Sequence, residues 1–350
     1  MTLFPARLGP RFVPRIWGAR SLGPLFPEKK GLSQPTGEVW LTGNDCVFET
    51  GPLAGRRMAE AWREMPPEWA GTKLNTRAAF PLLIKFLFPQ QWLSIQVHPG
   101  DAYAQKHESA AGGTGKTEMW YALEAQPGAA VLAGLKPEVT PDSFRRAIGD
   151  STVEDCIQRI PVQTGDAIFV PAGTVHTIGP GMTLCEIQEN SDITYRVFDY
   201  NRLGSDGKPR ALKVEQALAV ASFGPQRGGK LEGIQAERSA RARETFFAAC
   251  PYFATEKWVF SETVGSWPSE ERCEVLIILA GRGMLSASGT GVPYERAQVW
   301  LVPAGLRRLD IEPEEETQLL RTYVPDLEQL AAQFRASGIA EETWSRVVFP

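Results

Sequence analysis

The chain has 350 residues, enough for two domains, and its 43% hydrophobic and 22% charged residues are ordinary for a soluble globular protein. A net charge of −4 argues against binding to nucleic acid or an anionic membrane surface, and no run approaches the roughly 18 apolar residues of a membrane-spanning helix. Five scattered cysteines without paired spacing indicate reduced thiols, and the opening residues lack the apolar core of a secretory signal, so we expect a cytoplasmic protein.

The first half of the chain combines helical patterns with short apolar runs. One or two helices are predicted at 51–64, before Pro66 and Pro67. From residue 80 onward, strand-length apolar runs alternate with Gly and Pro turns, which is typical of a β-sandwich or barrel. We predict strands at 82–87, 92–98, 119–123, 130–134, 167–171, 182–188 and 194–200. A Thr140 cap predicts a helix over 140–149, and 212–223 is a further predicted helix.

The second half repeats the β-rich pattern. The polar stretch 224–243 is interpreted as a linker or an exposed loop. The strands predicted after it lie at 252–260, 273–280, 298–302, 309–311 and 318–324. An apolar stripe predicts an amphipathic helix at 326–338. We therefore predict two domains, a catalytic one of residues 1–235 and a second β domain of residues 236–350 with a C-terminal helix.

One short internal repeat links the two halves. Residues 169–176 align with 301–308, and both segments contain Val-Pro-Ala-Gly. Arg308 stands where His176 stands in the first copy, and no histidine follows residue 176. We interpret the repeat as two related β-barrels, of which the second has no metal site.

The scarcity of histidine is the main functional signal. Only His98, His107 and His176 occur, and His107 lies in a polar stretch that predicts a solvated side chain. Side chains two apart on a strand face the same way, so His98 shares a face with Gln96, two residues before it. A buried carboxylate beside two imidazoles needs a compensating divalent cation. The sequence predicts one Zn²⁺ per chain, and cobalt, nickel or manganese would also suit these donors: Gln96, His98, Glu118 and His176.

Several motifs resemble known families. Residues 165–176 resemble the second conserved motif of the cupin superfamily, although Pro180 replaces its usual asparagine. More narrowly, 93–99, 115–121 and 186–196, with the upstream stretches 15–18, 37–40 and 80–85, resemble type I phosphomannose isomerase. The resemblance covers residues from about 12 to 202, with Ala19 in place of a common glycine and a longer tail as departures. It implies a mainly β fold with added helices and two cupin-like barrels (jelly rolls), the second lacking a metal site.

The resemblance also implies a reaction, the interconversion of mannose 6-phosphate and fructose 6-phosphate through an enediolate. Arg196 matches the family's catalytic arginine, and we expect it to stabilise the enediolate because arginine does not lose its proton. Lys116 and Glu186 match active-site positions, and either could be the base that moves the proton. We expect Asp192 to assist ring opening. The available phosphate donors are Ser94, Arg202 and Lys85.

Two other functions fit the same motifs. A cupin-type metal oxygenase would use the same barrel, but such sites commonly hold three histidines, and Gln96 takes one of those places here. A phosphosugar-binding module without catalysis is the other alternative, which the set Lys116, Glu186 and Arg196 disfavours. The expected partner is a small phosphosugar, with neither nucleic acid nor membrane, in a monomer or weak homo-oligomer.

Overall fold

The computed structural model describes residues 2–74, 76, 78–204, 207–225 and 227–350. The fold is mainly β. The strands of the first 200 residues are β1 (Ala6–Leu8), β2 (Arg11–Ala19), β3 (Thr36–Trp40), β4 (Leu82–Leu87), β5 (Ile95–Val97), β6 (Glu118–Ala125), β7 (Ala130–Leu135), β8 (Ile157–Pro161), β9 (Ala167–Val170), β10 (His176–Ile178), β11 (Met182–Glu189) and β12 (Tyr195–Phe198).

The later strands are β13 (Gly229–Leu231), β14 (Ile234–Ser239), β15 (Ala242–Ala249), β16 (Ala254–Phe260), β17 (Val264–Ser266), β18 (Glu274–Ala280), β19 (Arg282–Ala287), β20 (Thr290–Glu295), β21 (Val299–Val302), β22 (Leu309–Pro313) and β23 (Thr317–Tyr323).

The helices are short. They are α1 (Met58–Arg63), α2 (Pro67–Ala70), α3 (Asp101–His107), α4 (Pro141–Gly149), α5 (Val214–Val220), α6 (Leu327–Ala336) and α7 (Glu341–Trp344), with 3₁₀ turns at Gly51–Leu53, Ser109–Ala111 and Val153–Cys156. Within the described residues, none of these helices has the length and apolar character needed to cross a membrane.

The chain forms two compact units. The first unit comprises residues 12–39 and 84–230, and the second unit comprises the segment up to Arg11 with 40–83 and 231–350. The change near residue 230 lies close to the predicted boundary at 235. The predicted first domain of residues 1–235 wrongly included the segment up to Arg11 and residues 40–83, which belong to the second unit. Strand pairing explains part of this arrangement, because β1 pairs antiparallel with β21.

The first unit is a sandwich of two antiparallel sheets. Its seven-stranded sheet has the order β13-β9-β6-β11-β4-β3-β2, and its five-stranded sheet has the order β12-β5-β10-β7-β8. Trp120 and Leu184 of the larger sheet pack in one core with Val131 and Ile178 of the smaller sheet. The same smaller sheet contributes to a second core that contains residues of α4 and α5. Strands β4 and β9 of the larger sheet are buried at every residue, so the predicted apolar runs bury both faces of the larger sheet there as well.

The second unit is also a sandwich. Its sheets have the orders β1-β21-β18-β23-β16-β15-β14 and β17-β22-β19-β20. Trp258 and Trp300 pack against Leu285 and Ile311 in the core between them. The order β21-β18-β23-β16 repeats the order β9-β6-β11-β4 of the first unit. In the described part of the chain all four sheets are open, so the predicted barrels are sandwiches of paired sheets.

Local signals predicted several elements well. Strand β4 has the predicted bounds, and α4 begins at the predicted cap. The backbone N–H of Ser143 donates to Thr140 Oγ1 at 3.2 Å, and the backbone N–H of Thr140 donates to Ser143 Oγ at 2.8 Å. This reciprocal pair satisfies two N–H groups at the helix start.

The interpretation of 224–243 as a linker was wrong. This stretch contains β13 and β14, and β14 pairs antiparallel with β15. Strand β14 lies at the edge of its sheet and four of its six residues are exposed. Because an edge strand obtains its hydrogen bonds from one neighbour and need not bury its side chains, a polar sequence is compatible with it.

A buried carboxyl group connects the end of β11 with the chain before β6. Glu189 is 3% exposed, and its Oε1 accepts a hydrogen bond from the backbone N–H of Thr117 at 2.7 Å. The pKa of Glu189 is raised to about 8, because burial and the charge of Asp101 together outweigh the opposing hydrogen bond from Thr117. The folded protein therefore retains a proton that the unfolded chain releases near its ordinary pKa of 4.5.

We predict that Glu189 makes the protein less stable as pH rises. Between about pH 5 and pH 8 only the folded state binds this proton, so its contribution to the free energy of unfolding falls by about 1.4 kcal/mol per pH unit. Glu189→Gln, which imitates the protonated side chain, should remove this slope. Urea unfolding across this pH range measures it, with the exposed Glu138→Gln as control. Identical pH profiles for wild type and Glu189→Gln would contradict the assignment.

Candidate metal centre

The four predicted ligand residues converge in the first unit. His98, Glu118 and His176 each place one ligand atom within 4.8 Å of those of the other two, and all three are at most 2% exposed. Gln96 lies opposite His176 on the paired strands β5 and β10. Its Nε2 atom is 3.5 Å from His98 Nε2 and 3.4 Å from His176 Nε2. Strand register thus unites residues that lie 80 positions apart in the sequence.

A turn at Gly173 places His176 beside the other predicted ligand residues. Gly173 adopts φ of 85°, and a Cβ on it would lie 2.5 Å from Ser222 Oγ. Its backbone N–H donates to the carbonyl oxygen of His98 at 2.9 Å. Only glycine adopts this backbone conformation without strain in so little space, which explains the role of glycine in the Val-Pro-Ala-Gly turn.

Hydrogen bonds fix the tautomer of both histidines. His98 Nδ1 is 2.7 Å from the carbonyl oxygen of Ile193, and His176 Nδ1 is 2.9 Å from that of Thr174. A carbonyl oxygen only accepts, so each Nδ1 carries the proton and donates it. Each Nε2 consequently offers its lone pair to the space between the four residues, as in protein metal sites.

Both imidazoles are neutral in this environment. Burial and, to a smaller extent, the nearby Lys116 ammonium lower the pKa of His176 to about 4. Burial, Lys116 and His176 lower the pKa of His98 well below its ordinary value. Neutral imidazole is the form that binds metal ions.

Glu118 shows that these residues suit a cation. Its Oε1 atom is buried, has no hydrogen-bond donor among the described residues, and lies 3.3 Å from His176 Nε2. Two electron-rich atoms at this distance repel each other unless a positive charge is shared between them. The nitrogen and oxygen donors are those that zinc accepts, so the residues fit a divalent metal.

Ser94 and Gln96 contribute a second feature. Ser94 Oγ donates to Gln96 Oε1 at 3.1 Å, which leaves the amide nitrogen of Gln96 facing the two imidazoles. Rotating the amide by half a turn would present its oxygen to a metal and its N–H₂ to Ser94. Ser94, expected to bind phosphate, is thus placed to orient Gln96, although it also lines the adjoining cavity.

Lysines and carboxylates surround the metal-ligand residues. Lys116 Nζ forms a short ion pair with Glu118 Oε2 and is 3.2 Å from His98 Nε2. Glu186 Oε2 lies 3.3 Å from Lys85 Nζ, and its Oε1 accepts from Trp120 Nε1 at 3.3 Å. Burial alone would lower the pKa of Lys85, but Glu186 and other nearby carboxylates outweigh it and raise this pKa. Lys85 is therefore a buried ammonium.

The cavity beside these residues has a volume of about 620 Å³ and lies within the first unit. It brings together seven of the predicted site residues: Lys85, Ser94, Gln96, Lys116, Glu186, Asp192 and Arg196. Asp192 is 57% exposed and lies 3.7 Å from Lys85 Nζ. The lining also contains charged residues that we did not predict: Arg15, Glu38, Glu108, Arg210 and Lys213. Arg15 and Glu38 lie in the stretches 15–18 and 37–40 that carry the family resemblance, whereas no sequence signal marked Glu108, Arg210 or Lys213.

Arg196 and Arg202 differ in their surroundings. In the described part of the chain the buried Nε atom of Arg196 has no hydrogen-bond acceptor, while its Nη1 donates to the carbonyl oxygen of Ala211 at 3.2 Å. Arg202 is not among the described residues that line the cavity. Its guanidinium donates to the carbonyl oxygen of Trp92 at 2.6 Å and to Asp199 Oδ1 at 2.6 Å. The expected phosphate donor Arg202 thus has protein acceptors for its guanidinium, whereas Arg196 keeps a buried Nε without one among the described residues.

Comparison with known proteins gives consistent results. A family model for the catalytic domain of type I phosphomannose isomerase matches residues 7–129. The mannose-6-phosphate isomerase ManA of Bacillus subtilis is 32% identical over 324 residues, which cover 89% of this chain and 97% of that protein. The mannose-6-phosphate isomerase of Streptococcus mutans is 33% identical over 283 residues, covering 78% of this chain and 84% of that protein.

Solved structures agree. The mannose 6-phosphate isomerase of Bacillus subtilis matches with a TM-score of 0.83 and 29% identity, over 91% of this chain and 99% of that one. A variant of phosphomannose isomerase from Salmonella typhimurium has a TM-score of 0.72 at 15% identity, over 91% of this chain and 99% of that one, and supports the fold alone. With relatives above 30% identity over most of its length, the chain belongs to the type I phosphomannose isomerase family.

Proposed function

We propose that the chain is a divalent-metal-dependent isomerase that interconverts mannose 6-phosphate and fructose 6-phosphate. The observation that carries this proposal is the convergence of His98, Glu118 and His176, where the buried Oε1 of Glu118 has no hydrogen-bond donor from any described residue. The adjoining cavity is lined by titratable and cationic groups, as a proton transfer on an anionic sugar requires. Family membership supports the isomerase over the oxygenase and the inactive binding module.

We propose Gln96, His98, Glu118 and His176 as the residues that hold one ion per chain, and zinc as that ion. When bound, the metal would act as a Lewis acid toward the sugar oxygens. Neutral imidazoles, fixed by the Ile193 and Thr174 carbonyls, support this assignment.

The proton would move between C2 and C1 of the open-chain sugar. A base removes the C2 proton of mannose 6-phosphate, and the same proton or its replacement is delivered to C1. Glu186 and Lys116 are both candidates for this base, since each lines the cavity beside the metal-ligand residues. Arg196, with its buried unpaired Nε, would stabilise the negative charge on the enediolate oxygen. Asp192 is exposed enough to meet the closed sugar ring and assist its opening.

We also propose that the second unit binds no metal ion. Val170 lies opposite Glu118 in the first unit. Val302, its counterpart in the Val-Pro-Ala-Gly repeat, lies opposite Glu274 in the second unit. Glu274 therefore occupies the position of the metal ligand Glu118. We propose that a covalently attached cation replaces the metal there.

That cation is Arg321. Its Nε donates to Glu274 Oε2 at 2.8 Å and its Nη1 donates to Glu256 Oε2 at 3.0 Å. Both carboxylates are at most 4% exposed. The guanidinium satisfies two buried anions, and Arg308, the counterpart of His176, lies at an exposed site with Asp310. The expected cytoplasmic location and monomeric or weakly oligomeric state remain predictions.

We predict that His176→Ala loses bound metal and isomerase activity together, because it removes one of two imidazole ligands. Elemental analysis of the purified protein and a coupled assay with mannose 6-phosphate measure the two effects. The exposed His107→Ala should retain both. Full turnover by a protein verified to be free of metal would disprove the proposed function.

We predict that Glu186→Gln lowers kcat by about 10²- to 10⁴-fold, the range for loss of a general acid or base. Its metal content should not change, because Glu186 is not among the proposed ligands. Steady-state kinetics with metal analysis test this, with Glu138→Gln as the control. A kcat within about threefold of wild type would transfer the role to Lys116, for which Lys116→Met is the corresponding variant.

We predict that Arg321→Met lowers the free energy of unfolding by about 3–5 kcal/mol, because two buried carboxylates lose their cation. The exposed Arg308→Met should cost less than about 1 kcal/mol. Denaturant unfolding measures both. Two metal ions per wild-type chain would refute the metal-free second unit.

A further inference from the structure

We propose that Arg210 and Lys213 form the recognition site for the phosphate dianion of the substrate. This inference rests on the proposed isomerase function and identifies the residues that select a phosphorylated sugar. It replaces the expectation that Arg202 and Ser94 bind the phosphate, since the first has protein acceptors and the second orients Gln96.

Charge balance at one side of the cavity is the first argument. Asp199 is the shared carboxylate of two arginines, Arg202 and Arg210. Arg196 donates to a carbonyl oxygen and has an unused buried Nε. Lys213 has its carboxylate partner, Glu108, at 3.9 Å, beyond hydrogen-bond distance. These four cations, of which Arg202 is not among the described residues that line the cavity, outnumber Asp199 and Glu108 by two, and this surplus of positive charge matches a phosphate dianion.

The position of these groups is the second argument. Arg196, Arg210 and Lys213 all line the cavity that adjoins the metal-ligand residues. The backbone N–H of Lys213 donates to the carbonyl oxygen of Arg196 at 2.8 Å. Arg196 in turn donates to the carbonyl oxygen of Ala211. These two hydrogen bonds, one from the Lys213 backbone and one from the Arg196 guanidinium, join the segment 210–213 to β12, the strand that carries Arg196.

Arg210 and Lys213 would contribute different donors to a bound phosphate group. Arg210 directs Nε and Nη2 to Asp199, which fixes the plane of its guanidinium and leaves Nη1 outside this pair. Lys213 Nζ lies 5.3 Å from the centre of the Tyr195 ring, and its side chain is 44% exposed. The remaining Nη1 of Arg210 and the exposed ammonium of Lys213 can each donate to an oxygen of one phosphate group. Arg196 then remains available for the enediolate oxygen.

Glu108 limits the strength of this site. Its Oε1 accepts a hydrogen bond from Tyr195 Oη at 2.8 Å, which holds the carboxylate near Lys213. A negative charge beside a phosphate site repels the dianion. Removing that charge should therefore strengthen phosphate binding, whereas removing Lys213 should weaken it.

The test uses inorganic phosphate as the probe with the full-length, metal-loaded protein. Lys213→Met should weaken phosphate binding, measured by calorimetry and as a competitive inhibition constant, by about 10- to 100-fold, the loss of a hydrogen bond to a charged group. It should also raise KM for mannose 6-phosphate, and Lys213→Arg should restore most of the binding. Arg210→Met should act in the same direction, and Glu108→Gln should tighten phosphate binding.

The matched control is Arg145→Met, since Arg145 is also an arginine paired with a carboxylate, Glu215, but is not among the residues that line the cavity. It should leave phosphate binding unchanged. Unchanged phosphate binding in both Lys213→Met and Arg210→Met would overturn the inference. Should Arg210→Met fail to fold because Asp199 loses a partner, Lys213→Met and Glu108→Gln still decide it. Failure of the wild type to isomerise mannose 6-phosphate would instead refute the proposed function, while phosphate titration would still test the site.

Discussion

The repulsion between Glu118 Oε1 and His176 Nε2 is the constraint on which the functional unit depends. The two atoms lie 3.3 Å apart, both residues are buried, and the imidazole carries its proton on the opposite nitrogen. Burial makes protonation of His176 unfavourable, so a proton does not relieve the repulsion at neutral pH. A cation close to both atoms would offset the repulsion between them. The neighbouring Lys116 supplies one positive charge, and a divalent metal would supply more.

The two units place charged groups at matching strand positions and satisfy them differently. In the first unit, Glu186 on β11 meets the ammonium of Lys85. In the second unit, Arg321 on the corresponding strand β23 meets Glu256. The signs of the charges are reversed at this pair. A guanidinium attached to the chain needs no exchangeable ion and cannot leave, whereas a metal site retains a replaceable cation with open positions for a substrate.

Function in the first unit follows from where charge remains unbalanced. Near the metal-ligand residues, Lys85, Lys116, Glu118 and Glu186 compensate each other in a buried network. Farther along the cavity wall, Arg196, Arg210 and Lys213 exceed the carboxylates available to them. This distribution of charge along the cavity wall matches a molecule with one polar, reacting end and one dianionic end. The proposed phosphosugar has this distribution of charge.

The sequence by itself predicted most strand positions, the Thr140 helix cap and the convergence of His98, Glu118 and His176, because each depends on neighbours within a few positions or on the rarity of histidine. It also indicated the repeat, whose Val-Pro-Ala-Gly turn is local. Tertiary structure decided what long-range pairing controls: the assignment of 40–83 to the second unit, the edge strand β14, and the orientation of Arg202 toward Asp199. It also decided that Arg210 and Lys213 face the cavity. A charged side chain acquires its role from the partner it meets in space, and a single sequence does not specify which partner that is.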